Sequence, residues 1–477
     1  MAKPTTVAAG SFRKEMRCEE LAIDIPLVME LAQWPECCIY KVPKKLREVK
    51  KEAYTPKLIS IGPLHHGEYE LLSMQMLKLN YLREFCYRAK TCHEDIARFI
   101  EEKEQRIRRC YKDISDYDLS SEDFVNMVVL DSIFIIELFL RSAATDRRSR
   151  RASTCGEDES YTSEEDGYIV RGDCIASNPL LRKHIQQDLL LLENQLPFFI
   201  LDELHTKFSW FEQNKYISFV ELTCNYLFPE SKTMKDKIDK EKVKHFTDLM
   251  RYLYHPPKDC DGAAPIKNLH NAKKLEDAGV ILEKDEKKTL LDIDFQEGDL
   301  WNIFPGFIVS WILLFLPCLD HIEWLKKTQT ILKVPVFEVN DETEGIFRNV
   351  MALEQCHYPD KAYICNYFVL LDYLINTRDD VELLVEKGII VNKLGSYKAV
   401  ATMVNRLCLE ITGENHYYIK LVKDINDYYE DSWNRNMGYL RTVYFRDVWR
   451  GTATVVGVIV LFVTFLNFLR PFVFKNI

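Results

Sequence analysis

The sequence predicts a mainly α-helical domain with a few short strands, followed by one C-terminal transmembrane helix. Three observations carry that reading. Apolar residues recur at spacings of three and four along most of the chain, as in Ile185, Leu189, Leu192, Leu196 and Ile200. Strand-like runs are confined to 290–295 and 332–339. The segment 451–469, GTATVVGVIVLFVTFLNFL, holds no charged residue.

The chain has 477 residues, 47% hydrophobic and 29% charged, a globular balance with material for a large core. Its formal charge of −10 excludes a general nucleic-acid binder, which needs a basic face to neutralise phosphates. Residues 1–24 are polar and small at the start, carry no export signal and read as a flexible N-terminus. The fourteen cysteines are scattered without a Cys-x-x-Cys pair, the pattern of reduced cytosolic thiols.

Punctuation by Pro43, Pro56, Gly62, Pro63 and Gly67 predicts an ordered loop over 40–67, and Leu71, Met74, Leu77, Leu82 and Phe85 start a helix. The charged stretch 98–109 reads as a solvated helical face. Residues 124–140 are apolar almost all round but interrupted by Asn126, Asp131 and Glu137, which marks a central core helix. A basic run at 147–151 and an acidic one at 157–165 predict a flexible charged insertion over 143–172. Helix returns over 184–205, kinked or restarted at Pro197, and a Lys-rich solvated link follows at 232–244. Further helices are expected at 246–254, 362–376, 379–386, 396–408 and 417–449.

Nineteen residues of helix, as in 451–469, rise about 28 Å, close to the roughly 30 Å hydrocarbon core. Arg446 and Arg450 on one side, with Arg470 and Lys475 on the other, are placed to reach the interface. The short tail 470–477 makes this a tail anchor. The slight excess of arginine before the span places the large domain in the cytosol, with the plasma membrane a candidate location. A second uncharged run, 301–319, is equally long and bounded by Asp299 and Asp320.

No polar constellation carries a recognisable chemistry. His65-His66 lies in a tight loop without a third ligand at metal spacing, and Cys37-Cys38 and Cys356-His357 lack companions. Glu193-Asn194-Gln195 interrupts an apolar helical run; such a buried group either performs acid/base chemistry or pins loop backbone by hydrogen bonding. Nucleophile elbows, phosphate-cradling loops and zinc-protease motifs are absent. No cofactor or metal is expected.

Several blocks resemble a plant family known as domain of unknown function 247. They are the opening Cys37-Cys38-Ile39-Tyr40-Lys41-Val42-Pro43, then Ala53-Tyr54-Thr55-Pro56, then Gly62-Pro63-Leu64-His65-His66-Gly67. Glu193-Asn194-Gln195-Leu196-Pro197, Ala278-Gly279-Val280 and the run from Phe347 through Asn349 to Glu354-Gln355-Cys356 agree with it as well. The resemblance implies one family domain over 25–449, signature positions at the residues just named, and no established catalytic activity. Some grass members are associated with self-incompatibility loci, which implies recognition or signalling at a cell surface.

This chain departs from the family pattern at 299–331, where an atypical hydrophobic insert separates two segments that are otherwise nearly continuous. Translated intron or a gene-model error is the expectation for the insert, and the transcript sequence decides it. The functional expectation is a membrane-anchored recognition or signalling component that binds an unidentified protein partner. The competing expectation is a membrane-bound enzyme using Glu193 with His65 or His66, and a weaker one is a purely structural anchor.

Overall fold

The computed structural model describes residues 35–112, 114, 119–154, 175, 178–209, 217–229, 238, 242–254, 268–298, 330–412, 417–431 and scattered positions of 453–467. The expected flexible N-terminus 1–24 lies outside these residues.

The core is organised around a 34-residue helix, α5 (Ser121–Thr154), whose middle is apolar on nearly every face. Because it has no solvated stripe there, it must be covered all round. Helices α2 (Gln75–Ala89) and α3 (His93–Glu101) pack on one side, and α7 (Phe198–Phe208) and α8 (Phe219–Leu227) on another. Phe139 of α5 meets Phe219, Tyr226 and Phe246 at ring-centroid distances of 4.8–5.8 Å. A second group of helices surrounds α11 (Thr343–His357): α9 (Phe246–Leu253), α12 (Tyr363–Leu374) and α14 (Tyr397–Leu407). Short helices α1 (Lys44–Val49), α4 (Glu104–Arg109), α6 (Pro179–Leu189), α10 (Ala272–Asp277), α13 (Arg378–Glu386) and α15 (Ile419–Glu430) complete the set.

Two small sheets sit beside them. Strand β1 (Ile281–Asp285) pairs in parallel with β3 (Ile331–Pro335), which pairs antiparallel with β2 (Asp294–Gln296). Strand β4 (Phe337–Val339) pairs in parallel with β5 (Ile390–Asn392). The single strand expected over 332–339 is therefore two, divided after Pro335 and given to different sheets. The strand expected at 290–295 is displaced to 294–296, because Thr289 to Leu291 form a turn.

Three helical expectations need correction. The run 184–205 is not one helix: α6 ends at Leu189 and α7 starts at Phe198, with Pro197 at its N-cap. Proline lacks the N–H that a continuous helix would require there. The stretch 98–109 is two short helices with buried Ile100, Glu104 and Ile107 rather than a wholly solvated face. Residues 143–154 of the expected flexible insertion are the last turns of α5, since no glycine or proline interrupts them before Gly156; residues 155–172 lie outside the described set.

Most of the hydrophobic insert, 299–329, also lies outside the described residues, but its two ends do not. Gln296 registers with Ile331, and the Gly298 N–H reaches the Thr330 hydroxyl at 3.4 Å. The uncharged run 301–319 itself lies outside the described residues.

The predicted span 451–469 is described at 453, 456, 457, 459–461 and 463–467. Among the described residues no helix is long and apolar enough to cross a membrane. The positions described between Ala453 and Asn467 are helical, and the Thr464 hydroxyl donates to the Val460 carbonyl at 2.7 Å.

Candidate functional site

The loop over 40–67 makes few hydrogen bonds to other backbone, yet much of it is buried. Its amides and carbonyls therefore need side-chain partners. They find them on α2, α5 and α6, on the 190–197 link and on α11.

Glu193 receives the Val42 N–H on Oε1 at 2.6 Å and an ion pair from Arg47 on Oε2. Asn194 behaves like a neighbouring strand. Its Oδ1 accepts from Ile61 N at 2.6 Å, while Nδ2 donates to the carbonyls of Ile59 at 3.0 Å and Asp188 at 2.9 Å. Gln195 donates to the carbonyls of Leu189 and Leu191 at 2.6 and 2.7 Å, and accepts from Phe246 N at 2.9 Å. The carbonyls of 188, 189 and 191 are those a longer α6 would have bonded to its own next turn. Side-chain amides join the tight turn bonds of Leu191 N–H to the Asp188 carbonyl and Asn194 N–H to the Leu191 carbonyl, which satisfies the helix end and fixes the break.

Asp188 accepts from the amides of Lys57, Leu58 and Ile59 at 2.7–3.2 Å. Burial raises its pKa, against the opposing pull of those N–H groups. On the other side of the loop, buried Asp131 accepts from Gly62 N at 2.8 Å and pairs with buried Lys78 at 2.5 Å; Lys78 also donates to the Ser60 carbonyl at 2.5 Å. Gly62 has φ +74°, and a Cβ there would lie 2.4 Å from the Gln195 carbonyl oxygen, so only glycine fits.

Residues of α11 extend the same scheme. Asn349 accepts from Leu192 N at 2.9 Å and donates to the Ala53 and Gly345 carbonyls at 2.7 and 2.8 Å. Glu354 receives Arg251 and the amides of Ile364 and Cys365; burial raises its pKa. Gln355 makes a two-way contact with Thr412, accepting its N–H at 3.1 Å and donating to its carbonyl at 3.0 Å. The Tyr40 hydroxyl lies 2.8 Å from His357 Nδ1. Tyr54, Pro56 and Pro63 are buried packing residues of the loop, and Pro43 is the N-cap of α1.

The two histidines separate. His65 is buried, with Nδ1 2.7 Å from Glu68 and Nε2 3.3 Å from Glu193 Oε2; burial keeps its pKa below the usual range although Glu68 opposes this. His66 and Gly67 are exposed. Glu193 and His65 thus meet in a closed cluster that Arg47 and backbone amides already occupy. Among the described residues, no group of three or more His, Cys, Asp or Glu could hold a metal ion, and the described cysteines are free thiols.

A cleft of about 360 Å³ lies elsewhere, between the 50–57 loop, α6 and the start of α11. Lys50 pairs with Glu344 at its edge and Lys183 with Glu342, while Asp188 reaches it with both oxygens already engaged by amides. Its walls are of mixed charge, with Lys50, Lys57 and Lys183 beside Glu52, Asp341 and Glu342, and they also carry His184. Asp131, Asp188 and Lys78 were not singled out from sequence as partners of the loop, nor Arg251 as the partner of Glu354. Isolated charges at 131 and 188 within apolar helical runs were the available signal.

The fold and this interior define a mainly helical domain in which Lys78, Asp131, Asp188, Glu193, Asn194 and Asn349 hold the backbone of one long, partly buried segment. The chain belongs to the DUF247 family, described as plant protein of unknown function, whose model matches residues 39–463. It is similar to the UPF0481 protein At3g47200 of Arabidopsis thaliana, 27% identical over 92% of this chain and 87% of that protein. It is also similar to the putative UPF0481 protein At3g02645 of the same plant, 22% identical over 90% of this chain and 89% of that protein. No solved structure matches the chain.

Proposed function

We propose that this is a membrane-tethered recognition or signalling component that works by binding another protein. The observation behind the tether is the C-terminal helix. Val456, Ile459, Val460, Leu461, Val463, Phe465 and Leu466 are all about half exposed or more, so these apolar side chains do not pack on the domain. An uncharged apolar run without a protein core to enter finds its cover in a bilayer. The observation behind binding rather than catalysis is that Glu193, Asn194 and His65 are engaged by backbone groups and neighbouring side chains, and the cleft beside α6 holds neither Glu193 nor His65. A tether then raises the local concentration of the domain near partners in the same membrane.

The test is proximity labelling in plant cells, with the labelling enzyme at the N-terminus and the full chain compared with a truncation before Gly451. The expected result is a small set of membrane proteins labelled by the full chain and lost with the truncation. A truncation that stays on membranes with the same neighbours overturns the proposal.

A further inference from the structure

Helix α2 buries Lys78, Tyr81, Phe85 and Ala89 against the core, and on its opposite face the exposed charges Arg83 and Glu84 are accompanied by large apolar side chains. Tyr69 and Leu72, in the 3₁₀ turn Tyr69–Met74 that leads into α2, are 87% and 44% exposed. Met76, Leu79 and Tyr87 on α2 itself are 66%, 44% and 86% exposed. Apart from 453–467, the only other large hydrophobics exposed among the described residues are Leu180, Val391 and Leu409, which lie singly. The successive spacings of three, four, three and eight place all five on one stripe, about 30 Å long.

The charges along the stripe are polarised. Its beginning is acidic, with Glu68 and Glu70, and its end is basic, with Arg83 and Lys90, all exposed. The intervening charges are already engaged, Glu84 by Arg141 and Arg88 by Glu137. Glu70, Arg83 and Lys90 have no ion-pair partner among the described residues. A stripe that is acidic at one end and basic at the other complements a copy of itself laid antiparallel, because each acidic end then meets a basic one.

We propose that this stripe is the contact face of a two-fold symmetric, antiparallel pair of copies of this chain, with Met76 and Leu79 near the axis and Glu70 of each copy facing Arg83 of the other. A membrane surface fits less well, since a helix that lies on anionic lipid carries basic residues along its polar face, and here one end is acidic. Five side chains from each copy make a contact at the small end of the specific range, so the pair is reversible. The inference does not depend on the tether, because the stripe lies on the folded domain.

The experiment is sedimentation equilibrium of the full-length chain in density-matched non-ionic detergent. Four variants accompany the wild type: Met76→Asp with Leu79→Asp, Glu70→Lys alone, Arg83→Glu alone, and Glu70→Lys with Arg83→Glu. Thermal melting followed by circular dichroism confirms that each is folded. The wild type is expected to associate reversibly to a dimer, and the aspartate pair to weaken this by at least about tenfold. Each single charge change is expected to weaken it, and the double exchange to restore it; these three decide the matter if the aspartate variant does not fold. A monomeric wild type overturns the proposal, including the case in which the stripe binds vesicles or a different protein instead. A dimer unmoved by the aspartate pair, or a double exchange that restores nothing, overturns it equally.

Discussion

Gly298 and Thr330 are thirty-two positions apart in sequence, and the N–H of one reaches the hydroxyl of the other at 3.4 Å. Strands β2 and β3 are registered immediately beyond them, so residues 299–329 are inserted at the tip of what would otherwise be a short hairpin. Removing them leaves Glu297, Gly298 and Thr330 as a connection of ordinary hairpin length. The deletion is expected to fold and, by loop-closure entropy, to gain about 2 kcal/mol. Thermal melting checks it, and an insoluble or molten product would show that the insert is part of the fold. Sequencing the transcript decides separately whether the insert is in the message.

Asn194 holds three buried backbone groups at once. Asn194→Ala leaves the Ile61 N–H and the Ile59 carbonyl without partners, at about 1–3 kcal/mol each, and removes one donor of several to the Asp188 carbonyl. Gln355→Ala, whose contact with Thr412 is open to solvent, is expected to cost less than about 1 kcal/mol. Urea denaturation midpoints separate the two. Equal losses would mean that Asn194 is not the clamp described above.

Gly62 and Gly395 have nearly the same backbone, φ +74° and +77°, but different surroundings. A Cβ at 62 strikes the Gln195 carbonyl, while one at 395 meets nothing within 4 Å. Gly395→Ala is expected to cost only the left-handed strain, about 1 kcal/mol, whereas Gly62→Ala should cost about 3 kcal/mol or more. The difference in unfolding free energy measures the close approach alone.

His245 is fully buried, with Nδ1 accepting from Asp248 N at 3.3 Å and Nε2 facing the Cys38 carbonyl at 3.1 Å. Burial lowers its pKa to about 3, so the folded chain holds it neutral while the unfolded chain protonates it near its ordinary value of about 6.5. Its contribution is therefore complete above that value and declines as pH falls towards the folded pKa, by about 1.4 kcal/mol per unit. Asp188, Asp248 and Glu354 act in the opposite sense, because burial raises their pKa values. Comparing wild type with His245→Gln isolates the histidine. At pH 5 the wild type should have lost about 2 kcal/mol more than the variant relative to pH 7. Parallel stability curves for the two would contradict this assignment.

The helical elements were legible where periodicity was strong. The reading of 124–140 as a core helix matches α5, and those of 246–254, 379–386 and 396–408 match α9, α13 and α14 within one residue at most boundaries. The run 184–205 misled because its apolar spacing continues through 190–197, while the side chains of Asn194 and Gln195 capture the carbonyls that would have carried the helix on. Sequence spacing records which side chains can share a face; it does not record which backbone groups a distant loop will claim. The partners of Asp131 and Asp188 were hidden for the same reason, being main-chain amides that no residue type announces.

The contact between Asn349 and the Ala53 carbonyl joins positions 296 residues apart. During synthesis at roughly 5–20 residues per second, the opening segment must wait about 15–60 s before this partner exists. Over that interval Val42, Leu46 and Tyr54 have no finished surface to enter, since Leu192, Ala352 and Leu353 of their small core are made later. The first part of the chain to leave the ribosome is thus among the last to be enclosed, and its solubility on the way rests on whatever in the cell attends nascent hydrophobic chain.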